Sequence, residues 1–142
     1  MILGLDGSQK MSKSRNNAIM LSSTEDETAQ LIKRAKTDAE RLITYEPERR
    51  PEVANLLMLI SLATGEAPEA IAARIGEGGG GMLKKMLTES LNDCLRPHRE
   101  KRKQLEADPE YIREVLRHGI SQAREVATQT LMEVRRAMNM DI

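Results

Sequence analysis

Two lysines, Lys10 and Lys13, lie three positions apart in the run Lys-Met-Ser-Lys-Ser at residues 10–14. A lysine ammonium is a compact charge on a flexible stem, so two of them on one short turn can follow polyphosphate oxygens as charge moves between them. Ser12 and Ser14 add hydroxyl groups that can hold the turn or bond an oxygen. The pattern predicts a mobile phosphate clamp, and the alternative is a solvated basic loop.

A second group of cations lies between residues 96 and 103. Its members are Arg96, His98, Arg99, Lys101, Arg102 and Lys103, and only Glu100 opposes them. On a helix, Arg96, Arg99 and Lys103 share one face, while Arg102 lies to the side. Such a strip can bind backbone phosphates, and arginine can stack on or fork to a splayed base. The alternative is a solvated helix face with intrahelical ion pairs.

The composition limits the kinds of partner that the chain can recognise. Lys+Arg and Asp+Glu both number 22 in 142 residues, so the net charge is zero and any contact with RNA must come from a local patch. There are 9 Met, no Phe and no Trp, with Tyr45 and Tyr111 as the aromatic residues. The core is therefore expected to be aliphatic, and a base-stacking aromatic sheet is excluded.

The single cysteine, Cys94, excludes an internal disulfide and fits a reducing cytoplasm. It follows Leu87 and Leu91 and precedes Leu95 on an apolar helical stripe, so we expect a buried thiol rather than a nucleophile. No apolar run reaches the roughly 18 residues of a membrane span, and no signal peptide is visible. The sequence therefore predicts a cytoplasmic protein without a membrane partner.

The first half of the chain predicts a looped start followed by helices. Residues 1–21 are expected to be extended or looped. The hydroxyls of residues 22–24 before three acidic residues predict a helix N-terminus. Residues 37–50 predict an irregular connector or a short helix. Pro51 and Gly65 bracket an apolar helix that should be buried on most sides, and Pro68 starts another short helix.

The second half predicts longer helices interrupted by glycine and proline. Residues 76–81 are glycine-rich and favour a flexible hinge or linker. A long amphipathic helix follows, and Pro97 should kink or end it. Asp108 and Pro109 start the next helix, Gly119 should end or bend it, and residues 120–138 form a final helix with a narrow apolar seam. The predicted fold class is an all-α helical bundle with a loop at its N-terminus.

The chain resembles the C-terminal part of the bacterial tryptophanyl-tRNA synthetases, which are class I aminoacyl-tRNA synthetases. The Lys-Met-Ser-Lys-Ser run is the signature loop of that class. The helical remainder points to the tryptophan enzymes through Gly4-Leu5-Asp6-Gly7, Ala35-Lys36-Thr37-Asp38, Asn55-Leu56-Leu57, the glycines of residues 76–81, Leu95-Arg96-Pro97 and a closing helix that ends near Met138. The resemblance covers nearly all of this chain and well under half of a whole family member.

The resemblance implies a reaction in which ATP and tryptophan give tryptophanyl-adenylate and pyrophosphate, after which tryptophan passes to tRNA(Trp). Lys10 and Lys13 are then the catalytic residues, and Mg²⁺, held by the ATP phosphates with no protein ligand identified here, shares the charge of the leaving pyrophosphate. The implied ATP-binding set is Ile2, Lys10, Met11, Ser12, Lys13 and Ser14.

The resemblance also implies a domain division. Residues 1–21 would be the end of a Rossmann-type catalytic domain, residues 22–50 a connecting helix and linker, and residues 51–142 a helical anticodon-binding domain. The implied tRNA-binding set is Arg96, Arg99, Arg102, Lys103, Arg113 and Arg117. A homodimer is implied for the whole enzyme.

Several parts of such an enzyme are not visible in this sequence. The His-x-Gly-His turn, the nucleotide-binding sheet and the tryptophan pocket are missing, so we expect a fragment that is inactive alone. We also expect its lysine loop to be disordered or displaced, because the sheet that should support it is missing. The alternatives are a non-catalytic helical RNA- or protein-binding fragment, a truncated paralogue, or another class I synthetase.

Overall fold

A computed structural model describes residues 2–140, and this part of the chain is helical. The helices are α1 (Glu25–Arg34), α2 (Pro51–Thr64), α3 (Pro68–Ile75), α4 (Gly79–Glu106) and α5 (Pro109–Ala137), with 3-10 turns at Lys13–Arg15 and Gly76–Gly78. Residues 2–140 contain no β-strand; the isolated antiparallel bridge joins Leu3 and Lys10. The prediction of a helical fold with a looped N-terminal segment is confirmed at this level.

The chain divides into two compact units, one ending at Arg99 and the other beginning at Glu100, within α4. The first unit holds the apolar core. Its fully buried side chains lie on α1, α2, α3 and the first half of α4; the largest are Ile32, Leu56, Leu57, Ile60, Ile71, Leu83 and Leu87. Helix α2 is buried on most sides, as its sequence predicts.

The ends of α1 and α2 follow from local sequence. The Thr24 side chain accepts from the Glu27 amide at 3.2 Å, and the Glu27 carboxylate accepts from the Thr24 amide at 2.8 Å. This reciprocal pair satisfies two amides that the helix leaves free. Pro51 occupies the first turn of α2, and Gly65 ends it in the left-handed region at φ 79°.

The irregular connector before α2 is organised by one buried arginine. The Arg50 side chain is 2% exposed and donates to both carboxylate oxygens of Asp38, each at 2.7 Å. It also donates to the Leu42 carbonyl at 2.7 Å and the Thr44 hydroxyl at 2.9 Å. One guanidinium therefore fixes the path of residues 38–44, which explains how a polar, non-helical segment holds its shape.

The glycine-rich segment is not the flexible hinge that its composition suggests. Gly76–Gly78 forms a 3-10 turn and α4 begins at Gly79. Gly76 and Gly79 have positive φ angles of 53° and 68°, and the Gly76 carbonyl accepts from the Ile43 amide at 2.8 Å. A Cβ on Gly80 would lie 3.1 Å from the Thr37 hydroxyl. These glycines allow a tight turn and a close contact between the segment and Thr37. Their role is therefore conformational and does not require a flexible hinge.

The sequence predicts that Pro97 kinks or ends α4 and that Gly119 ends or bends α5. Neither residue ends its helix: α4 continues past Pro97 to Glu106, and α5 continues through Gly119. A proline inside a helix costs about 3 kcal/mol and a glycine about 1 kcal/mol, and each cost is local. The long helical segments on both sides outweigh it. Cys94 is exposed rather than buried. It lies about 100° around the helix from Leu95, which is buried, so it is off the stripe.

The second unit contains the end of α4 and all of α5. Helix α5 has no buried residue, and its seam residues are exposed, among them Ile120, Leu131, Val134 and Met138. Asp108 caps α5 by accepting from the Tyr111 amide at 3.1 Å. Across residues 2–140 no single helix is long and apolar enough to cross a membrane, and one bent pair, Pro51–Thr64 with Pro68–Glu106, meets those criteria only jointly.

Candidate nucleotide-binding loop

The segment that carries the lysine pair folds back on itself. The Gly4 amide donates to the Gln9 carbonyl at 2.7 Å, and the Met11 amide donates to the Ile2 carbonyl at 3.1 Å. The bridge between Leu3 and Lys10 lies between these bonds. Residues 2–11 thus form a narrow antiparallel turn, and Lys10 lies on the second of its two paired segments.

A buried amide on α2 docks this turn onto the helices. The Asn55 side chain accepts from the Leu3 amide and donates to the Leu3 carbonyl, both at 3.1 Å, and donates to the Gly4 carbonyl at 3.3 Å. Asn55 is 7% exposed. It therefore pairs with the turn as a neighbouring strand would. The expectation of a disordered or displaced loop is wrong in this structure, because α2 supplies the partner that a missing sheet was expected to provide.

A second buried amide closes the far end of the loop. Asn17 is 6% exposed. Its side chain accepts from the Ser12 amide at 2.9 Å and donates to the Asp6 carboxylate at 3.1 Å and to the Lys10 carbonyl at 3.4 Å. Its backbone carbonyl accepts from the Leu5 amide at 3.0 Å. The Asn17 side-chain hydrogen bond, followed by that of the Ser8 amide, lowers the pKa of Asp6, so this carboxylate stays charged.

The predicted ATP-binding residues all lie on this one loop. The Lys10 and Lys13 side chains are exposed, and Lys13 begins the 3-10 turn. The Ser12 and Ser14 hydroxyls lie 2.9 Å apart and bond each other, so they hold the turn as the sequence suggests. Met11 packs against the core, while Ile2, before it in the turn, is 40% exposed.

The base of the loop is tied to α1 and α2 by charge. Lys36, just after α1, forms a 2.8 Å ion pair with Glu52 on α2, and its amide donates to the Leu5 carbonyl at 3.0 Å. The hydrogen bond between the two side chains raises the pKa of Lys36 and lowers that of Glu52. Gly7 has φ 71°, and a Cβ there would lie 2.2 Å from the Glu52 side chain. Glycine is thus needed at this position.

The basic strip is not one set of equivalent cations. Arg99 is 12% exposed and folds back onto the first unit. It donates to the Ser23 carbonyl at 2.9 Å, to the Thr28 hydroxyl at 3.0 Å and to the Asn92 side chain at 3.0 Å. Arg99 therefore anchors α4 to the start of α1 in this structure.

The other strip residues, among them Lys103, are exposed, and two of them form ion pairs along α4. Arg96 pairs with Asp93, and Arg102 pairs with Glu106 at 2.7 Å. Arg113 and Arg117 are brought together, since both bind Glu110, at 3.0 and 2.8 Å. Pairs of this kind on a helix surface contribute little to stability and exchange readily with other anions.

Comparison with known proteins identifies the family. The sequence profile described as tRNA synthetases class I (W and Y) matches residues 1–96. The chain belongs to this family.

Named relatives agree with that assignment. The chain is 40% identical over 136 residues to a tryptophan–tRNA ligase of Nostoc sp., covering 94% of this chain and 41% of the relative. It is 38% identical to the corresponding ligase of Thermosynechococcus vestitus, covering 93% and 41%. The chain thus spans about two-fifths of the length of these curated relatives, so it matches only part of them.

Solved structures of the family match the fold. A tryptophanyl-tRNA synthetase from Campylobacter jejuni, complexed with ADP and tryptophan, superposes with a TM-score of 0.80 at 27% identity, over 97% of this chain and 43% of that one. The enzyme from Mycoplasma pneumoniae gives 0.74 at 25% identity, over 99% and 45%. The helical arrangement is therefore one that family members adopt.

The sequence draws attention to the two lysines of the loop but gives no role to the amides that hold it. Asn17 and Asn55 were given no role, although Asn55 is the one polar residue in the run from Val53 to Ile60 on α2. An amide inside an apolar helix needs a partner, so that position carried a usable signal. The signal for Asn17 was weaker, because it lies in a polar stretch.

Proposed function

We propose that this chain is part of a tryptophan–tRNA ligase, which activates tryptophan with ATP and transfers it to tRNA(Trp). In this proposal the chain supplies the phosphate-binding loop and the tRNA-binding helices. The observation that carries it is the loop itself: Lys10 and Lys13 are exposed on a segment whose backbone is fixed by Asn17 and Asn55. The family to which the chain belongs supports a reaction in which such a loop would act.

The proposed chemistry follows from where charge develops. When the tryptophan carboxylate attacks the α-phosphorus, pyrophosphate leaves and negative charge grows on its oxygens. Cations placed at those oxygens stabilise the transition state more than they stabilise bound ATP. Lys10 and Lys13 are the proposed catalytic residues, because both ammonium groups extend from a fixed turn on flexible stems.

The remaining loop residues have supporting roles in the proposal. Ser12 and Ser14 keep the turn closed. The proposal assigns their hydroxyls to phosphate oxygens, and assigns Met11 and the backbone of Ile2 to the adenosine. Mg²⁺ held by the ATP phosphates would share the charge of the pyrophosphate. Among residues 2–140 no cluster of three metal-ligating side chains occurs, so the proposal gives that ion no protein ligand from this chain.

The decisive experiment is ATP–pyrophosphate exchange with tryptophan, measured on the intact protein that contains this chain. Lys13→Ala should lower kcat by about 100-fold or more and change the KM for tryptophan by less than about 2-fold, because the lysine acts on the transition state. Lys85→Ala, which removes an exposed lysine from α4, is the matched control and should leave exchange unchanged. Equal losses in kcat and in tryptophan binding would contradict the proposed role of Lys13.

In the second half of the proposal, the helical region binds tRNA and is a helical bundle of the anticodon-binding type. The proposed contacts are Arg96, Arg102, Lys103, Arg113 and Arg117. The sequence also proposes Arg99, whose guanidinium is bonded to Ser23, Thr28 and Asn92 in this structure. The ion pairs of Arg102, Arg113 and Arg117 are exposed, so RNA phosphates can replace their carboxylate partners. A homodimer and a cytoplasmic location are also part of the proposal, as is the division into a Rossmann-type catalytic end (1–21), a linker (22–50) and the tRNA-binding domain (51–142).

Filter binding of tRNA(Trp) across a salt series tests this half. Arg102→Ala should weaken binding and reduce the slope of log affinity against log salt by about 1. Arg74→Ala is the matched control, since Arg74 is also an exposed helix arginine paired with a glutamate, Glu66, at 2.8 Å. If the two variants bind equally well, Arg102 makes no phosphate contact.

A further inference from the structure

We propose that Asn17 is a positioning residue for the lysine loop, an inference that rests on the proposed function. Its single side chain bonds the loop at three places: the Ser12 amide, the Lys10 carbonyl and the Asp6 carboxylate. Two of these partners belong to the run that carries the lysines. Asn17 thereby sets the backbone from which both ammonium groups extend, without touching the substrate itself.

The chemistry of the three partners requires an amide. The Ser12 amide is a donor and needs an oxygen, whereas the Asp6 carboxylate and the Lys10 carbonyl are acceptors and need N–H groups. Only the asparagine and glutamine side chains carry an oxygen acceptor and two N–H donors on one planar neutral group. Glutamine adds a methylene that the site has no room for, since Asn17 is 6% exposed and already packed against Gly4.

Gly4 makes the room for this side chain. A Cβ at Gly4 would lie 2.2 Å from the Asn17 amide nitrogen and 2.3 Å from its amide carbon. No side chain can occupy that space without moving the amide. The Gly4 backbone is itself held by Asn55, so the two buried amides share one segment of the turn.

Asp6 extends the link to the other arm of the turn. One carboxylate oxygen accepts from the Asn17 amide and the other accepts from the Ser8 amide at 3.2 Å. The loop is therefore closed on both sides of the lysines by bonds that pass through one buried side chain. Displacement by about 1 Å of a group that must meet the transition state can reduce rates by about 100-fold, so loss of this closure should affect catalysis.

The first readout is structural and needs no substrate. Amide hydrogen exchange of the intact protein containing this chain should show that Asn17→Ala removes the protection of the Ser12 amide, because its acceptor is lost. Asn16→Gly is the matched control: Asn16 is the exposed neighbour, its side chain has no hydrogen bond among the described residues, and its φ of 53° suits glycine. That variant should keep Ser12 protected.

The second readout is catalytic. In ATP–pyrophosphate exchange, Asn17→Ala should lower kcat by about 10-fold or more and leave the KM for tryptophan within about 2-fold, whereas Asn16→Gly should match the unmodified protein. Asn17→Asp is a second variant that keeps the size of the side chain. It retains an oxygen for Ser12, loses both donors and sets two carboxylates against each other, so it should also lower kcat.

A reciprocal exchange separates a hydrogen-bonding role of Asn17 from a space-filling one. Asp6→Asn combined with Asn17→Asp restores a donor and an acceptor between the two positions in the opposite direction, and it preserves net charge. The double variant should recover at least about 3-fold in kcat over Asn17→Asp alone, since the single variant has lost this bond. A merely space-filling side chain at position 17 would give no such recovery.

The outcomes distinguish the inference from the function on which it rests. If the unmodified protein does not catalyse the exchange, the proposed function fails and the inference fails with it. If the unmodified protein is active but Asn17→Ala keeps either full exchange or full protection of Ser12, the inference alone is overturned. Lost protection, lower kcat and recovery in the double variant would together support it.

Discussion

The two units use positive charge in different ways. In the first unit, Arg50 and Arg99 are largely buried and hydrogen-bonded, while Lys10 and Lys13 extend from the loop into solvent. In the second unit, the arginines that the structure describes are exposed on α4 and α5, with Arg102, Arg113 and Arg117 in ion pairs on the helix surface.

This difference separates structural cations from candidate binding cations better than sequence clustering does. Arg99 lies in the densest basic run of the chain, yet its guanidinium holds α1 against α4. Arg50 lies in a connector of mixed charge, yet its guanidinium is buried and hydrogen-bonded to Asp38 and to the Leu42 carbonyl. Burial of the guanidinium, rather than local charge, indicates which arginines hold the fold together.

Asp38→Ala should produce the largest change in stability. It removes two hydrogen bonds from the buried Arg50 guanidinium and leaves that charge with neutral acceptors and the longer contact to the exposed Glu40 carboxylate at 3.6 Å. Stranding a buried charge costs about 3 kcal/mol of unfolding free energy. Chemical denaturation measures this loss of unfolding free energy.

The matched control for this variant is Glu40→Ala. That carboxylate is exposed, pairs with the exposed Arg49 at 2.8 Å and reaches Arg50 only at 3.6 Å, so its loss should cost less than about 1 kcal/mol. Equal losses for Asp38→Ala and Glu40→Ala would mean that burial of Arg50 does not set the strength of the network.

Arg99→Ala should produce the next largest effect. The variant removes hydrogen bonds to Ser23, Thr28 and Asn92, which join α4 to the start of α1, and it should cost about 2 kcal/mol. Arg96→Ala, three residues earlier on the same helix, removes only a surface pair with Asp93 and should cost less than about 0.5 kcal/mol. A difference in tRNA binding between these variants is interpretable only after their unfolding free energies are known.

Acid should weaken the first unit through the same Asp38 carboxylate. The hydrogen bond from Arg50 lowers the pKa of Asp38 below its ordinary value of 3.8. In the unfolded chain this carboxyl takes up its proton at a higher pH, so the stabilisation is complete above pH 4 and is lost as pH falls through the lowered folded value. Denaturation series between pH 7 and pH 2 should show a smaller acid loss in Asp38→Asn than in the unmodified chain. If acid lowers the unfolding free energy of both proteins equally, other carboxylates cause the effect.

The sequence predicted the features that depend on neighbouring residues. The helix N-terminus predicted from the hydroxyls of residues 22–24 and the proline and glycine that bracket α2 are confirmed, because each involves contacts within a few positions. The contacts that shape the loop were not predicted, since Asn55 meets Leu3 across 52 positions and Arg99 meets Ser23 across 76. Local patterns hold no information about which distant backbone group a buried amide or guanidinium will bond.

Pro97 and Gly119 do not end their helices because of the balance between local cost and helix length. Pro97 lies in a helix of 28 residues, and Gly119 lies in one of 29. A local penalty is decisive in a short helix and minor in a long one, where hydrogen bonds on both sides remain. The error at Cys94 is one of register, because a single step around α4 moves a side chain from the core to solvent.

Arg102→Ala should produce the smallest effect on stability and thus complete the comparison. Its pair with Glu106 spans one helical turn and both side chains are more than half exposed, so the loss should be about 0.3–0.5 kcal/mol and should shrink further in high salt. Urea denaturation beside Arg99→Ala gives the contrast directly. A loss above about 1 kcal/mol would show that Arg102 supports the fold, as Arg99 does. A near-neutral result leaves its charge available for a partner, since a side chain that contributes little to folding can exchange its carboxylate for a phosphate at small cost.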